Sequence, residues 1–258
     1  MKKHRANRLI AAVLLRRRDV LGFLAGTIAV SLVGCFRGQS TSAKPTSAPM
    51  QAATQAAATT PSCVVRPQQT EGPYFVDEGL DRSDIRSDPA DGSVKQGVPL
   101  RLTFRVSQVG TTSCSPVAGA TIDIWHCDAQ GVYSDVRDRN FNTLGKKFLR
   151  GYQVTNANGT AEFVTIYPGW YPGRTVHIHF KIRTGSASQH YEFTSQLYFD
   201  DALTEQVHAQ PPYAANGQRT LKNDRDGIFR EDGKQLMLQL TQGAQGYAGT
   251  FDIGLQMS

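Results

Sequence analysis

The chain has 258 residues, four cysteines and a formal charge of +6, a length that accommodates one large domain or two small ones. The charge is not spread evenly. Residues 1–35 hold seven Lys/Arg against one acid, Asp19, and residues 36–258 hold 21 of each sign. The basic character belongs to the leader, and the neutral remainder gives no reason to expect nucleic acid or an anionic surface as partner.

The leader reads in three parts. In "RRRDVLG", Arg17 and Arg18 followed by Asp19, Val20 and Leu21 resemble a twin-arginine export signal. The apolar run "VLGFLAGTIAVSLVG" is short for a membrane span and ordinary for a signal segment. It ends at "LVGC", where Cys35 after a small residue resembles a lipobox and would be lipidated. Ordinary cleavage nearby, with Cys35 discarded, is the alternative reading. The expected product is exported, periplasmic or extracellular, and meets a membrane only through that N-terminal anchor. Residues 36–62 are rich in Ser, Thr, Ala, Pro and Gln and hold few bulky apolar residues. Such a segment buries too little surface to offset its ordering entropy, so it is expected to be a disordered tether.

The domain is expected over 63–258. Cys63, Cys114 and Cys127 follow the leader, and the exported compartment permits disulfides. A Cys63–Cys114 bridge would pin the start of the domain to a loop, with Cys127 as a buried thiol. Spacing alone does not fix that pairing. Strand-like runs follow at 98–106, 120–127, 148–155, 160–167, 174–183, 191–199, 235–242 and 247–255. "NANG" (156–159) carries a hairpin signal between the third and fourth. No long 3.6-residue apolar period appears after residue 62. The pattern predicts an all-β fold, an antiparallel β-sandwich.

The stretch 167–180, "YPGWYPGRTVHIHF", is dense in chemistry. A strand here puts Val176, Ile178, Phe180 and Ile182 on the core face. His177 and His179 then share the opposite face, an arrangement that suits two metal ligands. Tyr171 precedes them in a loop stiffened by Pro168, Gly169, Pro172 and Gly173. Tyr133 follows the strand carrying Trp125 and His126. Phenolate oxygen is hard and anionic, so a set of two Tyr and two His favours iron(III) over zinc or copper. Among the weaker candidates, His126 reads as a packed, hydrogen-bonded histidine. Trp170 either walls a pocket or braces its loop. Tyr74 and Asp77 are expected at a cavity mouth, and His190 and His208 as solvated loop histidines.

Four blocks, "QTEGPYF" (69–75), "VAGATIDIWHCDAQGVYSD" (117–135), "FLRGYQVTNANGTAEFVTIYPGWYPGRTVHIHFKI" (148–182) and "TSQLYF" (194–199), resemble the non-haem iron(III) intradiol ring-cleavage dioxygenases. The details are most similar to a secreted subgroup. The resemblance implies the β-sandwich core of that family, a small aromatic diol and dioxygen as reactants, and no organic cofactor. It implies that Tyr133 is the retained tyrosinate ligand and Tyr171 the one that leaves when substrate binds. His177 and His179 complete the metal set. Arg174 would lie beside the bound ring, and Gln196 near the reacting carbon. The helical dimerisation segment of catechol 1,2-dioxygenases has no counterpart here, and the oligomeric state stays open. Two other readings compete: a non-catalytic exported β-sandwich binding module, in which the four residues should be scattered, and a zinc hydrolase using the two histidines.

Overall fold

The computed structural model describes residues 64–186 and 189–257. The leader, Cys35, the tether and Cys63 lie outside the described residues, and with them the expected lipidation and bridge. Cys114 is disulfide-bonded and Cys127 is a free, buried thiol. Among the described residues no helix is long and apolar enough to cross a membrane.

The first sheet is built on β1 (Pro99–Val109), whose Leu100, Leu102, Phe104 and Val106 are fully buried at a period of two. β5 (Thr160–Ile166) and β2 (Cys114–Pro116) run antiparallel along one edge of β1. β9 (Gly246–Leu255) lies along the other, with β8 (Leu240–Gly243) outside it. The second sheet has the order β4 (Arg150–Val154), β3 (Thr121–Trp125), β6 (His177–Ser186), β7 (Gln189–Tyr198), antiparallel throughout. The two sheets meet in one core. Phe180 of β6 lies 5.2 Å from Phe104 and 5.6 Å from Phe251, ring centre to ring centre. Burying each such ring is worth roughly 1.5–3 kcal/mol.

Three expectations about the elements are corrected. The first sheet is mixed, because β1 and β9 are parallel. Alternating apolar residues specify which face is buried, not strand direction, and the register Phe104↔Phe251 aligns both apolar faces. The turn at 156–159 forms, with Asn156 Oδ1 accepting from the amides of Asn158 and Thr160 and Gly159 at φ +69°. Yet it is no hairpin: β4 belongs to the second sheet and β5 to the first. A Cβ on Gly159 would lie 2.2 Å from the Val106 carbonyl oxygen, so the turn docks on β1 and carries the chain across the core. The run 235–242 opens as a 3-10 turn at Gly233–Leu236 and becomes strand only at Leu240. Between β7 and β8 lie two short helices, α1 (Asp201–His208) and α2 (Gly227–Asp232), N-capped by Asp200 and Asp226.

On β6, Ile178, Phe180 and Ile182 point into the shared core while His177 and His179 point away from it. That second face is where the candidate site lies.

Candidate metal centre

The sheet sets the neighbours of the two histidines. His179 lies opposite Trp125 on β3 and Gln196 on β7, and His177 lies opposite Tyr198. Tyr133 arrives from the turn after β3. Asp128 builds that turn: its Oδ1 accepts from the amides of Gln130 and Val132, and its Oδ2 pairs with Lys95 at 2.8 Å. Thr143 Oγ1 then donates to the Tyr133 carbonyl at 2.6 Å.

Tyr171 comes from the loop before β6, and residues 208–217 hold that loop. His208 Nε2 donates to the Pro168 carbonyl (3.0 Å), Asn216 Nδ2 to the Trp170 carbonyl (2.8 Å), and Trp170 Nε1 to the Gly217 carbonyl (3.2 Å). Trp170 is buried in the main core and braces its loop. His208, expected to be solvated, is buried and stacks on Tyr213 with ring centres 5.1 Å apart. Its position at the end of α1 turns it inward, which a lone histidine in a polar segment does not reveal.

The four predicted ligands converge. His177 Nε2 is 3.0 Å from His179 Nε2 and 3.3 Å from Tyr171 Oη. The rings of Tyr133 and Tyr171 are 5.7 Å apart, and those of Tyr133 and His179 6.4 Å. His177 Nδ1 donates to the Thr175 carbonyl at 2.6 Å, which fixes the tautomer and leaves a bare lone pair on Nε2. Burial holds the His177 pKa down to about 3 and the His179 pKa well below the usual range, with each ring further depressed by cationic neighbours. Both imidazoles are therefore neutral and free to act as ligands. Tyr133 Oη is buried with no hydrogen-bond partner among the described residues. Leaving such a hydroxyl unpaired costs about 1–3 kcal/mol. Burial, then the neighbouring Tyr171, pushes the Tyr133 phenol far above its ordinary pKa, and burial does the same to Tyr171.

Arg174 and Gln196 lie at the edge of this cluster and touch each other. Arg174 Nη2 donates to Gln196 Oε1 at 2.6 Å, and Gln196 Nε2 donates to the Thr70 carbonyl at 2.9 Å. Tyr198 Oη lies 2.7 Å from Gln69 Oε1 and 3.1 Å from Gln196 Oε1. The segment 69–75 thus crosses over the site, and its Glu71 forms an ion pair with Lys181, the next residue on the histidine face. Lys181 also pairs with Glu192 at 2.8 Å and lies over the Phe75 ring.

His126 is packed as expected, with Nδ1 donating to the Cys127 carbonyl and Nε2 accepting from Thr165 Oγ1 at 2.7 Å. His190 is exposed. Tyr74 does border the cluster: its ring lies 4.6 Å from that of Tyr133, and its hydroxyl donates to Asp138 at 2.9 Å. Asp77 does not. It pairs with Arg183, four residues beyond His179 and so about 13 Å along the strand.

Among the described residues no group of three or more His, Cys, Asp and Glu side chains could hold a metal ion. This cluster has two imidazoles and two phenols instead. The Nε2 atoms of the two imidazoles meet at 3.0 Å beside a buried, unpartnered phenol oxygen, and phenolate donors suit a hard trivalent cation. The donor set fits iron(III).

An intradiol ring-cleavage dioxygenase of Tetranychus urticae is 32% identical, with a TM-score of 0.64 over 76% of this chain and 95% of that one. The family model described as Dioxygenase matches residues 70–212. The chain belongs to the intradiol ring-cleavage dioxygenases. The dioxygenase domain of a dioxygenase–carbohydrate-binding fusion from Streptomyces sp. SirexAA-E superposes with a TM-score of 0.53 at 29% identity, over 76% of this chain and all of that domain. Catechol 1,2-dioxygenase 1 of Acinetobacter lwoffii is 29% identical over 147 residues, 47% of this chain and 43% of that protein. The protocatechuate 3,4-dioxygenase beta chain of Burkholderia cepacia is 32% identical over 114 residues, 40% of this chain and 47% of that one. The chain thus spans less than half the length of either of these two relatives.

Sequence reasoning passed over Asp226, Asn223, Asn216, Gln69 and Glu71. Only Gln69 and Glu71 had a signal, their place in the "QTEGPYF" block.

Proposed function

We propose that the protein is an exported non-haem iron(III) intradiol dioxygenase, which opens the ring of a catechol-type diol with dioxygen to give a muconate-type diacid. The observation that carries this reading is the convergence of Tyr133, Tyr171, His177 and His179 on one buried point. The two sheets joined through Phe104, Phe180 and Phe251 serve as the β-sandwich core that holds the four in place. The twin-arginine leader fits a protein exported folded, and lipidation at Cys35 with the 36–62 tether would hold it at a membrane surface.

Iron(III) held by these four side chains would supply a Lewis acid for both diol oxygens and an electron relay between ring and dioxygen. The remaining work falls to the chain. A diol binding through two oxygens must lose two protons: one would leave to hydroxide or water from solvent, and Tyr171, as a phenolate giving up its place to the diol, would take the other. Its loop is braced at Pro168 and Trp170, so the phenol can swing while the backbone stays. Arg174 Nη1, which no described residue engages, would be the cation that stabilises negative charge developing on the ring. Gln196 is held by Arg174 and Thr70, which fixes its amide beside the same volume. Tyr74, Phe75 and Trp125 wall the cluster and limit water. Both oxygen atoms of O2 end in the product carboxylates, so no external reductant is required.

The test is stoichiometry. Iron-loaded protein given catechol, hydroxyquinol or protocatechuate should consume one O2 per diol and place label from 18O2 in both new carboxyl groups. Zinc-loaded protein should do neither. Absence of oxygen uptake with all three diols would remove the reading.

A further inference from the structure

Arg174 is held by an acid that lies outside the segment matched by the family model. Asp226 is buried, with its side chain 1% exposed, and both carboxylate oxygens are fully engaged. Oδ2 accepts from Arg174 Nε and from the Thr175 amide, each at 2.8 Å. Oδ1 accepts from the amides of Ile228 (2.8 Å) and Phe229 (3.0 Å), capping α2. One carboxylate therefore ties the start of a helix to the residue pair that leads into His177.

The rest of the guanidinium is fixed as well. Nη2 is taken by Gln196 Oε1, with Tyr198 Oη at 3.5 Å. Nη1 is left as the guanidinium nitrogen without a protein partner among the described residues. A planar fork with two of its three nitrogens pinned has little freedom, so the direction of the third is set. The geometry assigns Asp226 as the positioning residue that aims Arg174 Nη1 at the bound diol.

Four features support a role beyond structure. Helix capping needs only Oδ1, and Ser or Asn would serve it equally well. The second oxygen is spent on the arginine and on the peptide next to it. Asn223 reinforces the same junction, accepting from Thr175 Oγ1 at 2.7 Å while its Nδ2 donates to the Phe199 carbonyl at 2.8 Å. Gln69 spans from Tyr198 Oη to the Ile228 carbonyl (3.1 Å), so the lid segment and α2 grip the same network. The carboxylate also supplies a buried counter-charge behind the guanidinium, which keeps it ionised in a desolvated place.

This inference rests on the dioxygenase reading, and its test separates the two. Asp226→Ser keeps a helix cap but cannot reach Arg174, and Asp226→Asn keeps an acceptor without the charge. Misplacing a group that acts in the reaction by about 1 Å costs roughly 100-fold in rate. Asp226→Ser should therefore lower kcat/KM for catechol by about 100-fold, and Asp226→Asn should recover part of it. In an Arg174→Gln background the same Asp226→Ser change should cost less than about 3-fold, because the group it positions is gone. A second measurement does not depend on turnover. The Arg174 Nε–H resonance, assigned by its loss in Arg174→Gln, should be protected from solvent exchange in the native protein and exposed in Asp226→Ser. Equal losses with and without Arg174, or an Nε–H equally protected in Asp226→Ser, would overturn the assignment. If the native protein cleaves no diol while the resonance behaves as expected, the dioxygenase reading has failed and only the fixing of Arg174 by Asp226 stands.

Discussion

Trp125 lies flat against His179: their ring centres are 5.0 Å apart and their planes 5° from parallel. The two are direct cross-strand partners on β3 and β6, so the sheet itself sets the contact. Phe75 packs on the same indole, with ring centres 4.8 Å apart. Trp125→Ala would open a cavity behind the His179 imidazole. We expect a loss of about 3–5 kcal/mol in urea unfolding, with iron content falling in proportion to the loosened imidazole. Trp125→Phe should retain most of both.

Gly72 closes over the same imidazole from the lid. It sits at φ +73°, and a Cβ there would stand 3.2 Å from His179 Cε1. Gly72→Ala therefore meets both a backbone penalty of about 1–2 kcal/mol and a tight contact at His179. Stability should drop by about that amount in urea unfolding, and iron uptake should slow. A variant with native stability and native iron content would show that the lid is looser than its contacts imply.

Acid should destabilise the metal-free protein through its buried histidines. His126 is fully buried, and burial, the largest influence, holds its pKa down to about 4. The unfolded chain binds that proton near pH 6.5. Between these values the unfolded state carries the proton and the folded state does not, so stability falls as pH drops, by up to about 1.4 kcal/mol per pH unit from this group. Above about pH 6.5 the contribution is constant. His208, also held low mainly by burial, acts in the same direction. Urea midpoints measured from about pH 7 down to about pH 4 should trace this slope, and His126→Gln should lessen it by this group's share, the buried His177, His179 and His208 rings supplying the rest. A midpoint independent of pH over that range would contradict the assignment of a neutral buried ring.

That Tyr171, His177 and His179 come together was legible in the sequence for a physical reason. A period-two strand separates Ile178 and Phe180 from His177 and His179 without reference to the rest of the chain, and the Pro/Gly loop marks Tyr171 as an aimed residue. What the sequence hid were partnerships over distance. Asp226 lies 52 residues beyond Arg174 in a polar stretch, and nothing local separates a carboxylate that caps a helix from one that also pins an arginine. The turn at 156–159 shows the same limit. Asn156 and Gly159 dictate a bend, while the pairing of β4 with β3 and β5 with β1 is decided by which faces can be buried together. His208 looked solvated because its neighbours are polar, and it is buried because α1 turns it onto Tyr213.

The central claim is that Tyr133 and Tyr171 bind iron(III) as phenolates. The most direct measurement is the visible absorption of the purified, iron-loaded protein. Tyrosinate-to-iron(III) charge transfer should give a red-brown band, altered when a catechol is added without oxygen and lost or strongly weakened in Tyr133→Phe. Iron-replete protein with no such band, or a band unaffected by Tyr133→Phe, would contradict the account.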